Sequence, residues 1–457
     1  MSQLRPARRR AGRPSATGAT LAPAAEEWRN WAGTQRCLPG ATASPVTLDD
    51  VVSVVGAAAA SGRRAKVVGS GHSFTGAAVT DGVAIHLGRH CRVLDVDADT
   101  GLATVEAGMT LARLNKVLAA AGLALPNLGD IDAQSLAGAL ATGTHGTGAA
   151  AGSLAAQVVG LQIVTADGEV RSCSPERDRE LFEAARVSLG ALGVITAVTL
   201  QAVPAFSLRA QEAVEPLERV LAGLDHDVAA NDHFEFYWVP HTDLARTKRN
   251  NRSDEAPRGG RMRRFADRVL LENVAFGGLC RVERRWPELT PRLAPVMAAG
   301  GNRDIVDRSY RIFASPRLVP FVEMEYALPR AAAGEALGRI RDLIEREALR
   351  VAFPIEVRFA PAEEVWLSTS HGRDSCYVAV HQFQGMPYRR YFDLVEEVMV
   401  NLDGRPHWGK LHTRSAADLA PHYPQWSRWQ DQRSRVDPDG MWGNDYLAQI
   451  FDPRPPA

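Results

Sequence analysis

Apolar and polar residues first fall into a regular pattern at residue 47. In "TLDDVVSVVGAAAA" the apolar positions recur at helical spacing. Thr47 can cap the N-terminus and two aspartates favour that end, so a helix is predicted over 48–60. A β-branched run predicts a strand at 65–69. After a glycine loop another strand is expected at 83–87, with two more near 92–96 and 102–106. "TLARLNKVLAAAG" predicts a helix near 110–121, capped by Thr110 and stopped by Gly122. Strands are expected at 158–165 and 169–172 around the turn Asp167-Gly168, then a helix near 178–186 and a strand ending "LGALGVITAVTLQAV" (189–203). Short strands and helices mixed in this way read as an α+β domain, not a regularly alternating doubly wound one.

Near residue 204 the pattern changes. A basic stretch, "RTKRNNRSDEAPRGGRMRRFADR" (246–268), lacks apolar residues at amphipathic spacing and reads as a solvated loop. Beyond it, residues 311–329 and 349–368 read as strands alternating with helices such as 330–346. "CYVAVHQFQ" (376–384) is a strand by its β-branched and aromatic alternation. This gives a disordered tail at 1–24, one domain at 25–205 and a second α+β domain at 206–457, without internal repeats.

Composition narrows the function classes. Lys+Arg and Asp+Glu are 53 each in 457 residues, and zero net charge argues against a nucleic-acid binder. Five scattered cysteines form neither a disulfide framework nor a CxxC pattern, which points to a reducing, cytoplasmic location. The Arg-rich N-terminus has no apolar h-region, and the longest apolar stretch, 51–60, is too short to span a bilayer. Peripheral membrane contact through 246–268 stays open.

The candidate chemistry starts with two glycine-rich loops. "GSGHSF" (69–74) follows a strand, but Phe74 stands where a Rossmann fingerprint needs its third glycine. "ATGTHGTG" (141–148), after "SLAGAL", is the second loop, and no GxxxxGK[ST] occurs. Glycines let backbone N–H groups approach a phosphate, so two such loops in one domain point to a diphosphate cofactor. His72, held between them, is either a backbone-bonded loop histidine or a nucleophilic imidazole beside that cofactor. In "IEVRF" the period of two puts Glu356 and Arg358 on one strand face, either as a surface ion pair or lining a site. "HWGKLHTR" gathers His407, Lys410, His412 and Arg414. Without HExxH or a carboxylate triad, it suits a developing oxyanion better than a metal.

"GSGHSF", "ATGTHGTG" and "LGVIT", in this order, resemble the PCMH-type FAD domain of the vanillyl-alcohol oxidase superfamily. "WRNWAGTQ" before them, with "FPIEVRF", "GRPHWGK" and "DPDGMWGNDYL" after, resembles the sugar-1,4-lactone oxidases, with alditol oxidases as close relatives. The resemblance covers roughly residues 28 to 452. It implies a two-subdomain FAD-binding domain followed by an α+β cap domain, and FAD bonded covalently through His72. Gly69, Ser70, Gly71, His72 and Ser73 match one side of the cofactor site. Gly129, Ser135, Gly138, Thr142, His145 and Gly146 match the other, and Val194, Ile195 and His412 complete it.

The same resemblance implies oxidation of a CH–OH group. Glu356 would bind substrate hydroxyls, Arg358 the substrate oxygen and flavin, and Lys410 the developing charge, with His381 also reaching the pocket. The substrate would be an L-gulono- or D-arabinono-1,4-lactone, the alternative an open-chain polyol such as xylitol or sorbitol. In the family a residue just ahead of the second loop gates O₂. Gly129 at that position favours oxygen as acceptor, with another acceptor as the alternative. Asp130 stands where alditol-oxidising relatives tend to carry serine, which leans away from polyols. A flavoprotein scaffold docking through 246–268 is the reading from a different class, and the set Glu356, Arg358 and Lys410 counts against it.

Overall fold

A computed structural model describes residues 21–258 and 273–453. The first half is built on two small sheets, with short two-stranded pairs besides, Trp28–Arg29 with Arg36–Cys37 and Leu123–Ala124 with Val203–Pro204. Three parallel strands, Ala41–Ala43, Val83–His86 and Ala65–Val68, lie side by side under the helix Leu48–Ala60. That helix has the expected Thr47 cap, reciprocated by Asp50, and buries Val51, Val54, Val55 and Ala58. The second sheet is antiparallel, in the order Val170–Cys173, Val158–Val164, Val194–Gln201, Leu102–Glu106, Val93–Asp97. The helix Leu111–Ala120, capped by Thr110, buries Leu111, Leu114 and Leu118 beside it.

The second half is built on one eight-stranded antiparallel sheet. In chain order its strands are β1 (Ser207–Pro216), β2 (His233–Trp238), β3 (Leu244–Ser253), β4 (Arg303–Arg308), β5 (Phe321–Pro329), β6 (Ile355–Ala360), β7 (Ser375–Phe383) and β8 (Arg405–Pro406). Their spatial order is β4-β1-β3-β2-β6-β7-β5-β8. Phe234, Phe236, Val357, Phe359, Val378, Val380, Met324 and Leu328 point to one face. They pack with the apolar stripe of the helices Ala333–Arg346 and Arg389–Asn401. Alternation then sends their charged neighbours to the other face.

Three expectations change in the structure. Most of the 1–24 tail lies outside the described residues, but Ala22 pairs with Thr42 and Leu21 packs on the first core, so 21–24 are ordered against the domain. The basic stretch is no loop at its start: residues 246–253 belong to β3, in the interior of the sheet, while 259–268 lie outside the described residues. Its cations meet acids brought by neighbouring elements: Arg246 faces Glu212, Lys248 faces Glu235, and Arg249 faces Glu215 and Asp227. Nothing local in 246–253 reveals those partners. Finally, 311–313 close the helix Ser309–Phe313 rather than opening a strand, because Ile312 and Phe313 anchor in the first-domain core.

The C-terminal segment crosses back. Trp429, Val436, Leu447, Ile450 and Phe451 pack into the first-domain core, and Ala65 donates its N–H to the Met441 carbonyl at 2.8 Å. Among the described residues, no helix is long and apolar enough to cross a membrane.

Candidate active site

The strand Ala65–Val68 delivers the loop at 69–74 to a cleft of about 390 Å³ between the two small sheets. Segments distant in sequence hold this loop. Trp31 donates its N–H to the Gly71 carbonyl at 2.8 Å, Asn30 Nδ2 donates to the Ser73 carbonyl at 2.9 Å, and Phe74 donates to the Gly409 carbonyl at 2.7 Å. The walls have no room for side chains at key points. A Cβ on Gly69 would stand 2.6 Å from Ser135 Oγ, and one on Gly108 would stand 1.9 Å from the Leu87 carbonyl oxygen. Gly71, at φ +71°, takes the left-handed turn that glycine adopts freely.

His72 lines this cleft, and its Nδ1 is buried without a hydrogen-bond partner. Burial, then the charge of Lys410, pushes the imidazole below its ordinary value. Such a neutral ring nitrogen is available for bonding. Gly69, Ser70, Gly71, Ser73, Ser135, Gly138, Thr142 and Ile195 line the same space. Val194 is buried behind it in the first-domain core.

Other residues expected at the cofactor do not line this cleft. His145 stacks on Tyr377 with ring centroids 3.6 Å apart, and its Nε2 is 3.3 Å from Glu325 Oε1. Gly129 packs on Thr144, and Gly146 lines a second, small cleft with Asp130 and Arg358. His412 Nε2 is 2.8 Å from the Tyr446 hydroxyl, and burial pushes the ring down to about 4. Gly108, Gly190 and Gly193, absent from the sequence reading, also line the main cleft. So do Cys91 and Arg113, the latter 3.0 Å from the Cys91 sulfur.

Glu356 and Arg358 share one face of β6, and both are buried. Arg358 Nη2 is 2.5 Å from Glu356 Oε1 and 3.5 Å from Asp130 Oδ1, while its Nε donates to Glu235 Oε2 at 3.2 Å. Tyr237 donates its hydroxyl to Glu356 at 2.6 Å, Lys248 pairs with Glu235 at 2.9 Å, and Arg317 reaches Asp130 at 2.7 Å. Burial opposes charge throughout this group, and the pairing decides who keeps it. Arg358 and Arg317 overcome burial at Asp130 and hold its carboxyl well below the usual range. Glu356 goes the other way: burial pushes it up, Arg358 only partly offsets this, and Asp130 and Glu235 add to the rise. One strand face thus offers a fixed guanidinium beside a carboxyl that takes up a proton more readily than usual.

Lys410 Nζ lies 2.5 Å from Glu323 Oε2 and 5.2 Å above the Phe74 ring, beside the His72 loop. Burial disfavours its charge, but Glu323 and Glu325 outweigh that and raise it. His381, opposite Glu323 in the β5–β7 register, has Nε2 3.5 Å from Glu323 Oε1 and Nδ1 3.0 Å from the Pro354 carbonyl. His145, Glu325 and His407 bring possible ligand atoms within 4.8 Å of one another. His407 Nδ1, however, already accepts the Gly409 N–H at 3.0 Å, and burial pushes that ring down to about 3.

Glu235, Tyr237, Lys248, Arg317, Glu323 and Glu325 escaped the sequence reading. "FEFYW" and "VEMEYAL" carry the same alternation of charge and hydrophobe as "IEVRF", so four of the six had a legible signal.

Residues 198–450 match the family model described as D-arabinono-1,4-lactone oxidase, and residues 39–174 match that of an FAD binding domain. The chain belongs to the D-arabinono-1,4-lactone oxidase family. It is 47% identical over 430 residues to an L-gulono-1,4-lactone dehydrogenase of Mycobacterium tuberculosis, covering 93% of this chain and 99% of that one. An alditol oxidase of Streptomyces sp. is 34% identical, covering 93% and 98%. The fold matches cholesterol oxidase from B. sterolicum with a TM-score of 0.79 over 95% and 97% of the two chains, at 18% identity. The fold is thus an FAD-binding domain followed by a cap domain. The crowded glycine walls and the unpartnered His72 nitrogen fit that cofactor.

Proposed function

We propose that this enzyme oxidises the CH–OH group of a sugar-1,4-lactone of the L-gulono or D-arabinono type, with FAD held across residues 69–73 and 135–142 of a 25–205 domain. The observation that carries this reading is the junction of the two halves. The loop bearing His72 hydrogen-bonds through Phe74 to Gly409, next to Lys410, and Lys410 in turn reaches the charged face of the sheet. Bound flavin supplies the acceptor for the hydride that leaves the carbinol carbon. Around that point Glu356 binds a substrate hydroxyl, Arg358 holds the substrate oxygen in place, and Lys410 and His381 stabilise the negative charge that develops. Lactone names in the family model and in the nearer of the two relatives support the substrate class.

A covalent bond from His72 to the flavin is part of the proposal, supported by its unpartnered nitrogen in the cleft. His72→Ala then gives a yellow protein that releases its FAD on acid precipitation, where the unmodified enzyme retains it. Retention in the variant would place the bond elsewhere. Gly129, with no side chain to narrow an approach, supports oxygen as acceptor, although the relative at 47% identity is named a dehydrogenase. Five free cysteines support a cytoplasmic location.

The decisive test is anaerobic mixing of holoenzyme with L-gulono-1,4-lactone, D-arabinono-1,4-lactone and xylitol, followed by flavin absorbance. Bleaching by a lactone and not by xylitol is expected. Bleaching by xylitol alone would move the protein to the alditol oxidases. Admitting air to the bleached sample then decides between oxygen and another acceptor.

A further inference from the structure

Glu323 has no role so far, yet its position is unusual. It is 4% exposed, deep in the interior, and its two oxygens serve residues from two different elements. Oε2 meets the ammonium of Lys410, 87 residues away, at 2.5 Å, and Oε1 faces the ring of His381 across the β5–β7 pair at 3.5 Å. The Pro354 carbonyl can only accept, so Nδ1 of His381 carries the hydrogen there, and Nε2, turned to Glu323, donates to that carboxylate only in the doubly protonated ring. Phe321 stands edge-on to the His381 ring at 5.1 Å and limits its rotation.

We propose that Glu323 is a positioning residue that holds the Lys410 ammonium charged and fixed beside the cofactor loop. This rests on the lactone-oxidising reading above, in which that ammonium meets the developing charge. The groups facing Lys410 are Glu323 and Glu325 from β5, Asp130 from the segment after the first-domain helix, His72 from the cofactor loop and His407 from its own turn. Of these, Glu323 alone is in hydrogen-bond contact with the ammonium. A merely structural ion pair could be exchanged for any isostere that keeps the fold. A carboxylate that holds a catalytic charge cannot, because its loss makes that charge easier to titrate.

The test is Glu323→Gln in the FAD-loaded enzyme, read in two ways. Without substrate, the visible spectrum of the bound flavin is titrated to alkaline pH. The spectral transition caused by Lys410 losing its proton is expected about one pH unit lower in the variant. With lactone, anaerobic flavin reduction is expected to slow about tenfold at alkaline pH and no more than about twofold near pH ~6. An unmoved transition, or the same slowing at every pH, would overturn the proposal. Glu323→Asp keeps the charge and is expected to keep the original transition. A one-unit shift in that variant would also overturn the proposal, and it decides the matter if the Gln variant does not fold. If no lactone bleaches the unmodified enzyme, the functional reading fails, while the substrate-free titration still judges Glu323.

Discussion

The cleft and the charged sheet face meet at the Phe74–Gly409 contact, and they are built from different materials. The cleft is mostly backbone: glycines whose absent side chains leave space, hydroxyls, and one histidine nitrogen without a partner. Its walls come from short backbone runs around 67–73, 86–91, 107–113, 134–142 and 189–195. The sheet face is all side chain. Glu235, Tyr237, Glu356, Arg358, Glu323 and His381 come from four strands, with Asp130, Arg317 and Lys410 added from loops. A binding cleft for a large anionic cofactor needs room and N–H donors, which backbone provides cheaply. A site for one small neutral substrate needs fixed charge, and buried charge persists only where every member has a partner.

The largest effect that would break this contrast is on stability. Arg358→Met leaves Asp130, Glu235 and Glu356 without their shared cation, and a loss of about 3–5 kcal/mol in unfolding free energy is expected from urea denaturation. A loss under about 1 kcal/mol would mean that the acids redistribute and that the face is not a closed network.

Next in size, Lys410→Ala should slow anaerobic flavin reduction about a hundred- to a thousandfold while the FAD content of the purified protein stays the same. Parallel loss of FAD would show that the two regions are not separable at this residue.

The smallest effect concerns a buried charge on the cleft side. Lys66 is 1% exposed, donates to the Leu189 and Trp442 carbonyls, and has no carboxylate in hydrogen-bond contact. Burial, with Arg433 adding to it, pushes its amine from 10.5 down to about 7. The unfolded chain therefore holds this proton more tightly. The cost of the charge is fully present below about pH 7 and is relieved as pH rises toward 10.5. Lys66→Met should flatten that rise in thermal stability, and near pH ~7 it should be no less stable than the parent. A strongly destabilised variant would show that Lys66 is paired after all, like the cations of the sheet face.

Much of the first domain was legible in the chain because its signals are local. Thr47 and Thr110 cap helices within their own turns, and the glycines of 69–71 stand next to the strand they terminate. Other features depend on partners far along the chain. The basic run at 246–253 reads locally as a solvated loop and is a strand in the fold, where its acids come from 212, 215, 227 and 235. The resemblance places His145 at the cofactor, and in the fold its Nε2 faces Glu325, a residue 180 positions later on a strand, a partner that nothing near His145 in the chain announces.

The sequence by itself therefore determined the helices with their caps, the glycine loops, the exclusion of a Rossmann unit, and the alternation that puts Glu356 beside Arg358. Each of these depends on neighbours within a turn or a pleat. Only the tertiary structure decided which charges pair, that Glu356 is pushed up while Asp130 is held down, and that Lys410 and His381 share one carboxylate. A buried charge takes its state from whatever stands within a few ångströms of it, and sheet pairing brings those neighbours from across the whole chain.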